Sequence, residues 1–160
     1  MPVATDLAAF LLRIALGLMF LAHSLWLKLF VFTLPGTAAF FTSLGLPGWS
    51  AYLVFALEAA GGLLLILGVQ VRWVSLVLFP VLLGATWAHA GNGWMFGYPN
   101  GGWEYPAYLS LLALVQVLVG EGAFALSRST PLLPIPSGPN SGPNSGPNSG
   151  PSSVPAPSTR

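Results

Sequence analysis

The chain has 160 residues, of which 54% are hydrophobic and only 6% are charged, and its mean hydropathy is +0.75. This composition lies far outside the range of soluble globular domains and indicates an integral membrane protein. A formal net charge of +1 argues against nucleic-acid binding, and the absence of cysteine excludes disulfides, thiol catalysis and iron–sulfur clusters ligated by this chain.

Four apolar stretches are each long enough, or nearly so, to cross a hydrocarbon core with about 20 helical residues. They cover residues 7–32, 50–69, 73–90 and 106–126. We therefore predict an all-α membrane four-helix bundle within a single domain, residues 1–128. Arg13 interrupts the first stretch and no convincing small-residue cleavage site follows it, so a retained helix is favoured over a cleaved signal peptide.

The connections between the predicted helices differ in length. The turn at 70–72 is very short, so the second and third helices should be antiparallel neighbours. On the other side, residues 33–49 and 91–104 are rich in glycine, proline and aromatic residues, and the first of these segments is predicted to lie along the interface. Residues 129–160 carry a Ser-Gly-Pro-Asn repeat and are predicted to be a disordered tail.

The positive residues predict an orientation. Arg72 and Arg128 lie close to helix ends on the side that both termini share, whereas Lys28 is the only basic residue on the opposite side. By the positive-inside rule, both termini should be cytoplasmic in a multi-pass protein of the cytoplasmic membrane.

A few ionisable residues lie inside or beside the predicted spans, where they are costly and usually face a partner or a cavity. By helical rise, His23 and His89 lie about 24 and 26 Å from the inner ends of their helices, so both should be level near the outer face. Glu58 should lie one or two turns deeper, and Glu104 caps the outer region. These four residues could form a proton-handling cluster open to the outer side. Alternatively, each histidine is simply a satisfied hydrogen-bonding group.

Glu58 needs either a proton or a partner at this depth. Arg13 is the candidate partner, because its long side chain can extend outward from the inner half of the first helix. A structural Arg13–Glu58 ion pair that joins the first two helices is therefore as well supported by the sequence as a role in proton handling.

The six tryptophans mostly fall near predicted helix ends, where an aromatic belt at the lipid headgroups accounts for them. Trp94 and Trp103 also lie close in sequence to the level of the histidines. Together with Lys28, these aromatic rings are a candidate pocket for a flat ring such as a quinone head.

The order of these landmarks resembles the DoxX family of small four-helix membrane proteins. The matching features, spread over about residues 7–127, are Arg13 with Leu16-Gly17 and Phe20, His23, Lys28-Leu29-Phe30, Leu44-Gly45-Leu46-Pro47, Glu58 before Gly61-Gly62, Arg72, His89 and Gly102-Trp103-Glu104. The family often has His-Gly where this chain has His23-Ser24. The resemblance implies a protein of the cytoplasmic membrane, linked in some relatives to quinone-dependent thiosulfate oxidation and to oxidative-stress complexes.

Three functional hypotheses follow. The favoured one is a redox-associated subunit that binds a quinone near the outer leaflet and exchanges electrons with a partner protein, since the sequence contains no recognisable electron carrier. The alternative is a non-catalytic structural or assembly subunit, in a complex or a homo-oligomer. A haem held by His23 and His89 ranks last, because two histidines are thin support for it.

Overall fold

The computed structural model describes residues 3–130, which form helices, their connections and a non-helical segment at 120–130, and which contain no strand. The last thirty residues of the predicted tail, 131–160, lie outside the described residues. The elements, in chain order, are α1 (Ala4–Leu21) with a π-helical continuation (Ala22–Val31), α2 (Leu34–Ser43), α3 (Ser50–Leu67), α4 (Val71–His89) with a 3₁₀ turn (Ala90–Asn92), and α5 (Glu104–Val119).

The four longer helices form a closed ring in which α1 packs on α3, α3 on α4, α4 on α5, and α5 on α1. Their inward faces share one apolar core, which consists of Leu16, Phe20, Leu65, Val71, Leu78, Leu82, Leu109 and Ala113. Large apolar side chains also cover the outside of the bundle, as expected where lipid is the solvent. The predicted all-α membrane bundle is confirmed.

Within residues 3–130, three helices are long and apolar enough to cross a membrane: α1 with its π-helical continuation, α3, and α4 with its 3₁₀ turn. The fourth, α5, has 16 residues and is about 24 Å long, shorter than a hydrocarbon core of about 30 Å. It ends at Val119, seven residues before the predicted end. Gly120 has φ +90° and Gly122 has φ +69°, a left-handed backbone that stops the helix and that glycine adopts without cost.

The segment predicted at the interface contains α2. Thr33 accepts a hydrogen bond from the Gly36 amide through its side chain, at 3.2 Å, and Pro35 occupies the first turn. Both residues are favoured at a helix start. The bundle end that carries α2 and the start of α5 is called the groove end below, and the opposite end is called the strap end.

The π-helical continuation of α1 changes which residues share a face. His23 and Lys28 are five residues apart, which is about 140° around an ordinary α-helix. Hydrogen bonds from i to i−5, such as the 2.7 Å bond from the Phe32 amide to the Leu27 carbonyl, bring such residues towards the same face. The Ser24 hydroxyl donates to the Phe20 carbonyl at 2.8 Å where the pattern changes.

At the strap end, residues 120–130 fold back across the bundle and are called the C-terminal strap. The Ala123 amide donates to the Asp6 carbonyl at 2.9 Å, and the Ser127 amide donates to the Gly68 carbonyl at 3.1 Å. The C-terminal strap thereby joins the beginning of α1 to the end of α3 and covers this end of the bundle.

Candidate functional site

An ion pair between α3 and the π-helical segment is the central polar feature of the groove end. Lys28 Nζ lies 2.6 Å from Glu58 Oε2, and the two side chains are only 16% and 8% exposed. The π-helical register turns Lys28 towards α3, so a basic residue expected in the quinone pocket instead neutralises the deep carboxylate. A charge in this environment requires such a partner.

The predicted Arg13–Glu58 ion pair is wrong, because Glu58 pairs with Lys28 and Arg13 binds backbone carbonyls. Arg13 is fully buried, and its guanidinium donates to the carbonyls of Ala123 and Phe124 at 2.9 and 3.0 Å and to that of Leu65 at 3.5 Å. Leu65 is seven residues beyond Glu58, about 10 Å further along α3. Arg13 therefore joins α1 to carbonyls of the C-terminal strap and of the last turn of α3.

His23 belongs to the same polar region as the ion pair. Its Nδ1 is 3.0 Å from the Met19 carbonyl, so Nδ1 carries the donated hydrogen and Nε2 is the acceptor of the neutral ring. The imidazole lies nearly parallel to the Tyr105 ring, with centroids 6.1 Å apart, and it is within electrostatic range of Glu58. His23, Lys28, Glu58 and Tyr105 are called the polar cluster below.

His89 has different partners from His23. Its Nδ1 lies 3.1 Å from the carbonyl oxygens of both Asn100 and Gly101, in the turn before α5. Asn92 donates its side-chain amide to the same two oxygens. Both histidines thus reach the region around the start of α5, but His89 bonds to the connecting loop, whereas His23 stacks on the helix itself.

A groove of about 600 Å³ opens on the bundle surface beside the polar cluster. Its lining is mainly aromatic, carries one carboxylate, and consists of Trp94, Phe96, Glu104, Tyr105, Ala107, Tyr108 and Leu111. This site is called the aromatic groove. Because Tyr105 both lines the groove and stacks on His23, it connects the groove to the polar cluster.

The predicted quinone pocket corresponds to this groove only in part. Trp94 lines it, and Trp103 packs edge-to-face against Trp94 with ring centroids 4.5 Å apart. Lys28 is absent from the described lining and pairs with Glu58. Glu104 lies in the groove, where its Oε2 accepts the Phe96 amide at 3.3 Å.

Sequence reasoning missed Tyr105 and Tyr108, although a signal was present. Both follow Glu104 at the start of the fourth predicted helix, on the side of the membrane that holds the predicted site, but only the tryptophans there were considered as a headgroup belt or a ring pocket. Among residues 3–130, no group of three or more histidine, aspartate or glutamate side chains is arranged to hold a metal ion.

At the strap end, Arg72 donates to the carbonyls of Val117 and Leu118 at 2.9 and 2.7 Å, where a helix terminus favours a cation. Nearby Glu121 is buried and accepts hydrogen bonds from the amide and hydroxyl of Ser129. Burial by itself would raise the pKa of the Glu121 carboxyl, but these hydrogen bonds and the positive charge of Arg72 outweigh it. The pKa therefore lies below the usual glutamate value.

The fold and site define a multi-pass helical membrane protein with a polar cluster and an aromatic groove at one end. Residues 8–91 match the DoxX family model, slightly more than half of the chain, and the chain belongs to the DoxX family. It is 36% identical over 80 residues to a Bacillus subtilis (strain 168) protein named "Putative oxidoreductase CatD". That alignment covers 50% of this chain and 58% of the relative. No solved structure matches.

The predicted family is thus confirmed, and so is a multi-pass membrane character. The family match includes His23, Lys28, Glu58 and His89 but ends before the lining of the aromatic groove begins at Trp94. The orientation of the termini and the identity of the membrane stay predictions.

Proposed function

We propose that this protein is a redox-associated membrane subunit that binds a quinone in the aromatic groove, near the outer leaflet, and works with a partner protein that carries the electrons. The observation that carries the proposal is the position of Tyr105. Tyr105 lines the groove, and its ring also stacks on His23. A ring bound in the groove would therefore lie beside titratable side chains.

The groove has the size and chemistry for such a ligand. Its volume of about 600 Å³ lies within the usual range for small-molecule sites, about 300–1,000 Å³. Trp94 and Tyr108 present exposed aromatic faces, on which a flat ring can stack. Glu104 and the Tyr105 hydroxyl supply the few polar groups that orient a ligand in a largely apolar site.

When bound, a quinone supplies chemistry that takes up two electrons and two protons. In this chain, Glu104 can hold a proton within the groove, and His23 Nε2 is a proton acceptor next to Tyr105. The Lys28–Glu58 pair in the polar cluster carries no net charge, because the ammonium and the carboxylate neutralise each other. The electrons would come from a separate protein, since this chain has no cysteine for a thiolate-ligated centre. A relative that is named an oxidoreductase supports the redox assignment.

A second candidate function is that of a structural or assembly subunit. It is favoured because buried and half-buried charged side chains join parts of the bundle to one another. The Lys28–Glu58 pair joins the π-helical segment to α3. Arg13 joins α1 to the C-terminal strap, and Arg72 joins α4 to α5. On this hypothesis, the aromatic groove would be part of a lipid-facing surface and would bind no quinone specifically.

The test is a titration of the protein in lipid nanodiscs with a short-chain quinone, followed by tryptophan fluorescence. We expect saturable quenching, because Trp94 lines the groove. Tyr108→Leu should weaken binding about 3- to 10-fold, the equivalent of losing one aromatic contact. Tyr52→Leu is the matched control, because Tyr52 and Tyr108 are similarly exposed, at 47% and 59%. Tyr52 lies near the same end of the bundle, in the first turn of α3, but it does not line the groove as described.

Quenching that rises linearly with quinone and is equal in all three proteins would indicate partitioning into lipid. That result would reject the quinone site and leave the structural subunit as the better account.

A further inference from the structure

We infer that His89 and Asn92 are positioning residues, whose side-chain N–H groups hold the loop 93–103 in place and thereby shape the aromatic groove. The part of the inference that concerns ligand affinity rests on the proposed function, whereas the part that concerns the loop does not. It gives His89 a role different from the proton transfer that the sequence suggested.

Two donors at the end of α4 converge on two consecutive carbonyl oxygens. His89 Nδ1 is 3.1 Å from the oxygens of both Asn100 and Gly101. Asn92 Nδ2 is 3.1 Å from the Asn100 oxygen and 2.9 Å from the Gly101 oxygen. We call this arrangement the loop clasp. It fixes the turn before α5 relative to the end of α4.

The turn held by the loop clasp has an unusual backbone. Asn100 has φ +66° and Gly101 has φ +74°, so two consecutive residues are left-handed. Asparagine adopts this conformation more readily than most residues, but at a cost that surrounding contacts must offset. A Cβ on Gly102 would collide with the Met95 carbonyl oxygen, so the loop also passes closely over itself here.

The held turn leads directly to the groove lining. The Glu104 amide donates to the Trp94 carbonyl at 3.0 Å, and the Trp103 amide donates to the Gly93 carbonyl at 3.1 Å. The Glu104 side chain accepts the Phe96 amide. A shift of the turn would therefore move Trp94 and Phe96, two of the aromatic walls of the groove.

The chemistry of His89 separates positioning from proton transfer. An imidazole that donates through Nδ1 does so in both its neutral and its protonated form. An amide side chain can replace such a donor, but it cannot replace a group that takes up and releases a proton. His89→Gln should therefore preserve the groove, whereas His89→Leu, which has no donor, should not.

The experiment uses the full chain in nanodiscs and two readouts. The first is hydrogen exchange of the amides in residues 94–104 without ligand. We expect His89→Leu to speed this exchange about 10-fold, as for the loss of one to two hydrogen bonds, and His89→Gln to stay within about twofold of wild type. Asn92→Asp, which removes the other donor at constant size, should behave like His89→Leu.

The second readout is the dissociation constant of a short-chain quinone between about pH 5.5 and 8, the range in which histidine titrates. We expect weaker binding in His89→Leu and Asn92→Asp by about 5- to 10-fold, with the wild-type pH profile retained in His89→Gln. A His89→Gln protein that loses this profile, or that exchanges as fast as His89→Leu, would overturn the positioning role. If wild type binds no quinone but the exchange pattern is as expected, the loop clasp stands and the proposed function fails.

Discussion

The Lys28–Glu58 ion pair gives the sharpest test of the site geometry. A double-mutant cycle of Lys28→Met, Glu58→Gln and the variant with both changes measures this interaction. With 2.6 Å between the charged atoms, the Coulomb attraction at an effective dielectric constant of 20 is about 6 kcal/mol. Desolvation of both charges offsets much of this value. Removal of one partner from a buried pair typically costs about 3–5 kcal/mol.

We expect each single variant to lose about 3 kcal/mol of unfolding free energy, the lower end of that range, because Lys28 retains some exposure. In the Glu58→Gln variant, the unpaired Lys28 can also extend its ammonium group towards the membrane interface, which limits the loss of unfolding free energy. The double variant should lose about 4 kcal/mol rather than the roughly 6 kcal/mol expected of independent changes, which gives a coupling energy of about 2 kcal/mol. The assay is unfolding in bicelles by steric trapping, with tryptophan fluorescence as the reporter.

A second cycle, Arg13→Met with Glu58→Gln, is the matched control. Arg13 bonds to carbonyls at the strap end, so the two changes should be additive within about 0.5 kcal/mol. Strong coupling in the Arg13 cycle together with additivity in the Lys28 cycle would contradict this geometry, since it would mean that Glu58 pairs with the arginine.

Two further predictions concern packing and pH. A Cβ on Gly17 would lie 2.7 Å from Ile66 Cγ1, so Gly17→Ala should destabilise the bundle by about 1–3 kcal/mol. Gly84→Ala, which meets open space, should be neutral or stabilising by up to about 1 kcal/mol, and equal losses of unfolding free energy in the two variants would contradict this. Because the pKa of Glu121 is lowered, its ionised form adds stability that is complete above the unfolded pKa of about 4.3. That stability is lost as the pH falls through the lower pKa that Glu121 has in the folded protein. Glu121→Gln should therefore flatten the acid side of a plot of unfolding free energy against pH. An unchanged plot would show that Glu121 does not stabilise the fold in this way.

The sequence alone was sufficient for the membrane class, the helical bundle, the family, and the end of the molecule at which polar and aromatic residues gather. These properties depend on composition and on the order of residues along each helix, because the cost of placing a side chain in lipid is mostly local. The bulk of the four longer helices, and the placement of Glu58, Trp94 and Glu104 towards the same end of the bundle, were therefore accessible without coordinates.

Only the tertiary structure decided which groups meet. Lys28 reaches Glu58 because the backbone departs from α-helical register after Leu21, and no periodicity argument that assumes 3.6 residues per turn can anticipate that rotation. Arg13 is directed to loop carbonyls by a C-terminal strap whose path depends on the positive φ of glycines such as Gly122. Contacts between helices depend on rotation and on where each helix ends, and these follow from packing of the whole bundle rather than from any single stretch of sequence.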